Sequence, residues 1–585
     1  MWAQVGRGGS EWLTAQGDAQ RTSWIRTDAK ISPGTMSKPG FELQWTSKLE
    51  NRPRQLNGLF QGVTANGVTL FVPMSVVTGS SNNVYAIDND TGYVVWQRHF
   101  DAVLPAPTAA CPGGTTAAAT RIVSVAPPSI TGGGGRAGRG GRGGYRSVIG
   151  QPGEGVPLEA RGGGPGRAAG PPAAGATPGA AARGAAPPGP AIPGAPPPPG
   201  PGGGGRGNQG NAGIPGAPGG GGPGGGNARP SGVVYAVSSD GMLHVLGLPS
   251  GKDIQRPAPF LPANARWSDA IAINTTLYAA TSQACGGGAN GVWAIDLESE
   301  SKPVVSWKTN GGSVVGAVAF APDGTLLAAI GAGQATPDGY ANAIVALDPK
   351  TLELKDWFSE PTAEFVTGPM VFRHNNKDIV AAATKDGRIL LLDASSLGGS
   401  SHSTPLHASR AGGTFAAEAL STWQEATVTP APAPGAGALA ADPTVTPGTR
   451  WILAPVAGRL PADVRAAGGA ITTGAVRALK LVDTGGTPSL EPGWISDDLA
   501  APTTPIIVNG VVFALSTGRP TTAAGRGTAA VLYAYDGVTG KTLWNSQKTM
   551  TSFASGPSFW SAMGQVYVGT HDGTLHAFGF LDERR

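Results

Sequence analysis

Short apolar runs alternate along the chain with turns rich in Gly, Asp, Asn and Thr, a rhythm that predicts many strands and few helices. One unit recurs: a strand ending in a small residue, a variable residue and Asp, then a Thr-Gly turn, then a second strand ending in Trp. Its fullest copies are Tyr85-Ala86-Ile87-Asp88 with Thr91, Gly92 and Trp96, and Tyr533-Ala534-Tyr535-Asp536 with Thr539, Gly540 and Trp544. Degenerate copies place Asp296 before Trp307, Asp348 before Trp357 and Lys480 before Trp494. Leu390 to Asp393 leads to Trp423, and Leu243 to Leu246 runs into Pro249-Ser250-Gly251-Lys252. A second element of strand, Asp-Gly turn and strand spans Val233 to Leu246, Ile379 to Leu392 and Val566 to Phe578. Its turns, Asp240-Gly241, Asp386-Gly387 and Asp572-Gly573, supply the positive φ of a tight hairpin.

Each position in the unit has a physical task. Asp and Thr bond the turn backbone, Gly tolerates left-handed geometry, and the small residue fits where strands crowd. The indole buries apolar area against a neighbouring repeat and donates its ring N–H. Ordered variants of one unit predict a radial array, in which each blade covers the next, over unrelated strands of β-sandwiches. Phe41 to Trp45 is an outer strand without an inner partner, and Thr574 to Phe580 an inner strand without an outer one. Joining them gives an all-β, eight-bladed propeller of four-stranded antiparallel blades closed by an N-terminal strand, with seven blades as the alternative. The segments are a lead-in over 1–40, propeller over 41–130, an insert over 131–229 and the remaining blades over 230–585.

The pattern Ala-x-Asp-x-x-Thr-Gly-x-x-x-Trp resembles the tryptophan-docking motif of pyrroloquinoline-quinone (PQQ) type propellers. That family includes quinoprotein alcohol dehydrogenases and the outer-membrane assembly lipoprotein of the β-barrel machinery. Gly17-Asp18-Ala19-Gln20-Arg21-Thr22-Ser23, ending near Ala29-Lys30-Ile31, is similar to the family's lead-in. The resemblance implies the fold. For the enzymes it also implies a calcium or lanthanide ion on clustered Glu, Asn and Asp oxygens, a sandwiched quinone and a carboxylate base.

Charge changes the picture little. The formal net charge is +4, but the insert holds nine Arg against Glu154 and Glu159, leaving the remainder mildly acidic. The insert's Gly-Pro-Ala-Arg composition predicts disorder, and its Gly spacing is not the strict triplet of collagen. Arg121 to Val125 is expected to pair with Val233 to Val237 across it. Arg136, Arg139, Arg142 and Arg146 suit nucleic acid or polyanion contact. Tolerated loop expansion is the favoured reading, since Tyr145 alone offers base stacking. The Pro/Ala/Thr-rich stretch Glu425 to Gly448 is read the same way.

Cys111 and Cys285, both in loop-like contexts, form either a disulfide or two free thiols. No apolar run approaches the ~20 residues of a membrane span. Met1-Trp2-Ala3-Gln4 reads as the stub of a signal peptide, which places the protein in a bacterial periplasm or outside the cell.

No catalytic residue can be assigned. Trp267 and Asp269 are the candidates for cofactor binding, offering a flat ring and an acid. A loop Trp with a turn-forming Asp explains them without a cofactor. There is no vicinal Cys pair, and His571 with His576, and His402 with His407, lack a metal-ligand pattern and are expected to face solvent. The expected function is a secreted or periplasmic protein-binding scaffold with no cofactor, its partner another protein. A PQQ- and calcium-dependent alcohol or sugar dehydrogenase is the alternative.

Overall fold

The computed structural model describes residues 11–55, 57–65, 72–126, 232–333, 339–429, 444–460, 465–466, 469–520 and 527–581. The insert expected to be disordered, and with it the polyanion reading of its arginines, lies outside the described residues. So do the first ten residues and most of Glu425 to Gly448.

Among the described residues the strands form eight blades. Blade 1 comprises Val63–Ala65, Met74–Gly79, Asn83–Asp88 and Val94–His99 from axis to rim. Blade 2 holds Val233–Val237, Met242–Gly247 and Ala258–Pro259, with Thr120 bridging Tyr235 on the axial side. Blades 3 to 7 begin at inner strands Ile271–Ile273, Val314–Phe320, Met370–His374, Ser421–Thr429 and Ile506–Val508. Blade 8 joins the two ends of the chain. Phe41–Lys48 pairs antiparallel with Thr574–Phe580, so the N-terminal strand closes the ring.

The repeat works as its residues suggest. Trp96 stands opposite Ala86, Trp544 opposite Ala534 and Trp45 opposite Ala577, so the small residue makes room for the indole across each outer pair. Three outer-strand indoles hydrogen-bond to the following blade. Trp45 Nε1 donates to Asn89 O at 2.9 Å, Trp96 Nε1 to Leu248 O at 2.6 Å and Trp494 Nε1 to Gly537 O at 2.9 Å. Beneath the three rings lie Gly92, Gly251 and Gly540, all with positive φ. A Cβ on Gly92 would stand 2.4 Å from Trp45 Cε3. Glycine is thus required twice, by its turn and by the neighbour's ring. Asp536 holds its turn by accepting from the Thr539 amide at 2.8 Å and hydroxyl at 2.8 Å, and Asp348 and Asp296 accept similarly from their own turns.

Two expected pairings differ. Trp423 belongs to the inner strand of blade 6; the outer strand of blade 5 is the two-residue His407–Ala408, which carries no Trp. On the other side of blade 5, His402 of its outer loop stacks on Trp357, the outer-strand indole of blade 4, at 3.8 Å. Arg121 to Val125 does not follow Val233 to Val237. Only Thr120 bridges Tyr235, after which Ile122–Val123 runs parallel to Ala272–Ile273 of blade 3. The backbone groups of Ile122 and Val123 find their ladder on the next blade's exposed inner edge.

The Gly92→Ala substitution is expected to destabilise the protein by roughly 1–3 kcal/mol, through a left-handed turn and a displaced Trp45. Urea unfolding of this variant beside Tyr93→Ala, on the exposed neighbour, measures it; equal midpoints would contradict the docking role of Gly92.

Candidate functional site

The axis, where a propeller places its ligands, is occupied by the chain's own residues 11–26. This thread gives up its carbonyls one after another to the inner strands. Trp12 O accepts from Thr64 N at 2.8 Å, Leu13 O from Arg121 N at 2.8 Å and Ala19 O from Phe320 N at 2.8 Å. Gln20 O accepts from Val371 N at 2.9 Å, Thr22 O from Thr422 N at 3.1 Å and Ser23 O from Ile507 N at 2.9 Å. Thr14 Oγ1 adds a bond to Ala270 O of blade 3 at 3.2 Å, so the thread touches blades 1 to 7. Its tight curl puts Gln16, Arg21 and Ser23 at positive φ, and this strained backbone is held by the surrounding bonds.

Arg21 fills the centre, 1% exposed. Its Nε donates to Val318 O at 2.8 Å, Nη1 to Ala15 O at 2.6 Å and Thr14 Oγ1 at 3.2 Å, and Nη2 to Asp269 O at 3.2 Å. Burial lowers its pKa to about 10, against the pull of Asp269 and Asp18. The guanidinium therefore stays charged at neutral pH.

Trp267 and Asp269 are brought to the axis, but each is already engaged. Trp267 is buried in the apolar cluster with Ala117, Leu277 and Ala279, and its backbone exchanges hydrogen bonds with Thr116 Oγ1 at 3.0 and 2.8 Å. Asp269 Oδ1 accepts from Ala118 N at 2.9 Å, and burial raises its carboxyl pKa against the opposing effects of that bond and of Arg21. Neither is the loop Trp and turn-forming Asp expected from sequence. Asp269 is a counter-charge to the axial arginine.

Above the thread, the mouth is crossed by an ion pair between Arg266 Nη2 and Glu418 Oε1 at 3.5 Å, joining blade 3 to the segment entering blade 6. Arg266 Nη1 also donates to Ala110 O at 3.4 Å. Beside it, Cys111 and Cys285 form a disulfide that ties the linker between blades 1 and 2 to a loop of blade 3. Among the described residues no group of three or more His, Cys, Asp and Glu is placed to hold a metal ion.

One constellation escaped the sequence. His244 Nδ1 lies 3.0 Å from Asp253 Oδ1 and its Nε2 3.1 Å from Ser238 Oγ, the spacing of a nucleophile, base and orienting acid. Its surroundings make it structural. Ser238 is 2% exposed, Asp240 competes for its one proton, and the ring is stacked on Phe100 at 4.0 Å. Blade 8 repeats the hydroxyl, turn Asp and His without the orienting acid, with Thr570 Oγ1 bonded to Asp572 and 3.5 Å from His576 Nε2, while His576 Nδ1 is buried without a hydrogen bond. The shared spacing Ser/Thr-x-Asp-Gly-x-x-His was the available signal. His576 is consequently buried, and His402 packs on Trp357, where solvent-facing histidines were expected.

No protein-family model and no curated protein matches the chain. Solved structures do. The quinohemoprotein alcohol dehydrogenase of Comamonas testosteroni aligns over 100% of this chain and 82% of its own at 13% identity, with a TM-score of 0.52. The quinohemoprotein alcohol dehydrogenase ADHIIG of Pseudomonas putida HK5 aligns over 98% and 80% at 11% identity, with a TM-score of 0.52. The chain has the PQQ-type propeller fold. At these identities the likeness concerns architecture, and the activity of such a propeller must be argued from its site.

Burial lowers the pKa of His244, as it does for His407, His571 and His576. A depressed folded-state pKa contributes stability that is complete above the unfolded value of about 6.5 and is lost as pH falls through the folded value. Thermal midpoints are expected to decline on acidification below about pH 6.5. The decline should be shallower in His244→Phe, and an unchanged profile would show that His244 does not buffer the fold.

Proposed function

We propose that this propeller is a non-catalytic protein-binding module acting in an oxidising compartment, the bacterial periplasm or the cell exterior. The observation that carries this reading is the filled axis: Arg21 and its carbonyl shell occupy the centre where a reaction pocket would have to open. The residues present do not suit a PQQ-calcium pair. Trp267 offers no free ring face, since its indole is buried in an apolar cluster, and Asp269 is committed to Ala118 and Arg21. No chemical step is derived through that cofactor. The Cys111–Cys285 bond supports export, because such crosslinks persist where thiols are not kept reduced. Among the described residues no helix is long and apolar enough to cross a membrane.

A binding role suits what is left at the surface. The rim carries isolated exposed apolar side chains, among them Tyr93 and Val305, while the mouth presents Arg266 and Glu418. Rigid blades holding loops at one face are a general platform for protein recognition.

Titrating the purified protein with PQQ and calcium, followed by dye reduction with alcohols and sugars, tests the reading. No saturable uptake and no turnover are expected. Stoichiometric cofactor binding with turnover would overturn it and restore the dehydrogenase alternative.

A further inference from the structure

A cleft of about 650 Å³ opens where the chain passes from blade 8 to blade 1, within the ~300–1,000 Å³ of small-molecule sites. Three segments build it. Glu50 to Arg54 follow the outer strand of blade 8, Gln97 and His99 end the outer strand of blade 1, and Leu104 lies on the linker towards blade 2. The walls are fixed by the protein's own hydrogen bonds. Arg54 Nε donates to Pro112 O at 2.9 Å and its Nη2 to Pro105 O, which pins the linker beside blade 1. Asn83 Nδ2 donates to Glu50 O at 3.1 Å, and the Ser80 and Ser81 hydroxyls both donate to Arg52 O.

What is left unsatisfied lies on side chains that solvent reaches. Glu50, Arg52 and Gln97 are exposed, and among the described residues none of them makes a side-chain hydrogen bond or ion pair. Glu50 and Arg52 thus bring opposite charges to one cleft without neutralising each other. His99 adds an acceptor of defined orientation. Asn83 uses its amide N–H on a carbonyl, so its Oδ1, 2.8 Å from His99 Nδ1, must accept. The neutral ring therefore carries its proton on Nδ1 and keeps the Nε2 lone pair free, since Asp101 Oδ1 at 3.9 Å is beyond hydrogen-bond range. The His99 side chain is 54% exposed, open to a ligand.

These groups do not suit a ligand of one sign. An anion drawn to Arg52 meets Glu50, and a cation drawn to Glu50 meets Arg52 and Arg54. An extended peptide needs free main-chain partners, yet Glu50 O, Arg52 O and Pro105 O already accept from the protein. A small zwitterion answers both charges through side chains alone. We infer that the cleft binds a free α-amino acid with an aliphatic side chain. Its carboxylate takes the Arg52 fork, its ammonium donates to Glu50 and to His99 Nε2, and its side chain lies against Pro53 and Leu104. This site and the proposed protein-binding role are independent of each other.

The test is calorimetric titration of the whole protein with leucine and valine, with N-acetylleucine, which lacks the ammonium, and with leucinamide, which lacks the carboxylate. Leucine or valine should bind saturably at one site per chain, and the two derivatives at least about tenfold more weakly, each having lost one charge-assisted contact. Glu50→Gln should weaken leucine by a similar factor and bring N-acetylleucine level with it, and Arg52→Gln should do the same for leucinamide. Both positions are exposed, so unchanged thermal midpoints in the variants separate lost binding from lost folding. No saturable heat with either amino acid would overturn the site. So would derivatives that bind as well as leucine, or a leucine affinity unchanged in both variants.

Discussion

Everything at the centre of this propeller depends on one buried guanidinium. Arg21 sits where blades converge and answers the outward demand of backbone carbonyls from the thread itself, blade 4 and blade 3. An isolated charge at that depth would be prohibitive; here its donors are distributed over Val318, Ala15, Thr14 and Asp269, and the Asp269 and Asp18 charges lie nearby. With Arg21 fixed, the thread's carbonyls are held at the radius where the inner strands can donate to them. The inner strands of blades 1, 4, 5, 6 and 7 each thereby place an amide on a thread carbonyl.

Outside the axis, stability is a matter of neighbours. Each blade buries an apolar face on the next, and the indole over glycine contact sets their spacing: Trp45 on Gly92, Trp96 on Gly251, Trp494 on Gly540. Blade 7 meets blade 8 differently, with Trp544 edge-on to Phe41 at 4.9 Å and to Phe578 at 5.6 Å. Because Phe41 comes from the N-terminal strand, ring closure and this last interface are one event. The rim is therefore a chain of local contacts, while the axis is a single shared element. A ring organised this way is rigid at its centre and can vary at its loops, where recognition is placed.

The sequence and the structure agree where the determinants are local. The blade unit and its turns were legible because Asp, Thr, Gly and Trp act within a dozen residues of one another, and the closure because Phe41 to Trp45 and Thr574 to Phe580 were each left without a partner strand. The path of the thread was not, since the bonds between Ala19 and Phe320 and between Gln20 and Val371 join residues more than three hundred positions apart and carry no motif. Trp267 and Asp269 were singled out as a flat ring and an acid for a cofactor, whereas their engagement with Thr116, Ala118 and Arg21 depends on three-dimensional neighbours. Blade 5 misled the reading because its outer strand is two residues long and carries no Trp, so the pattern ran on to Trp423 in the next blade.

The central claim, that the N-terminal thread permanently fills the axis, is tested most directly by native-state hydrogen exchange at the amides of Phe320, Val371, Thr422 and Ile507. Each donates to a carbonyl of the thread. If the thread is an integral part of the ring, these four amides exchange only through global unfolding, with the slope and free energy of the core strands. Exchange through a shared, lower-energy opening, while the second strands of the same blades stay protected, would mean that the thread leaves the axis in the folded protein.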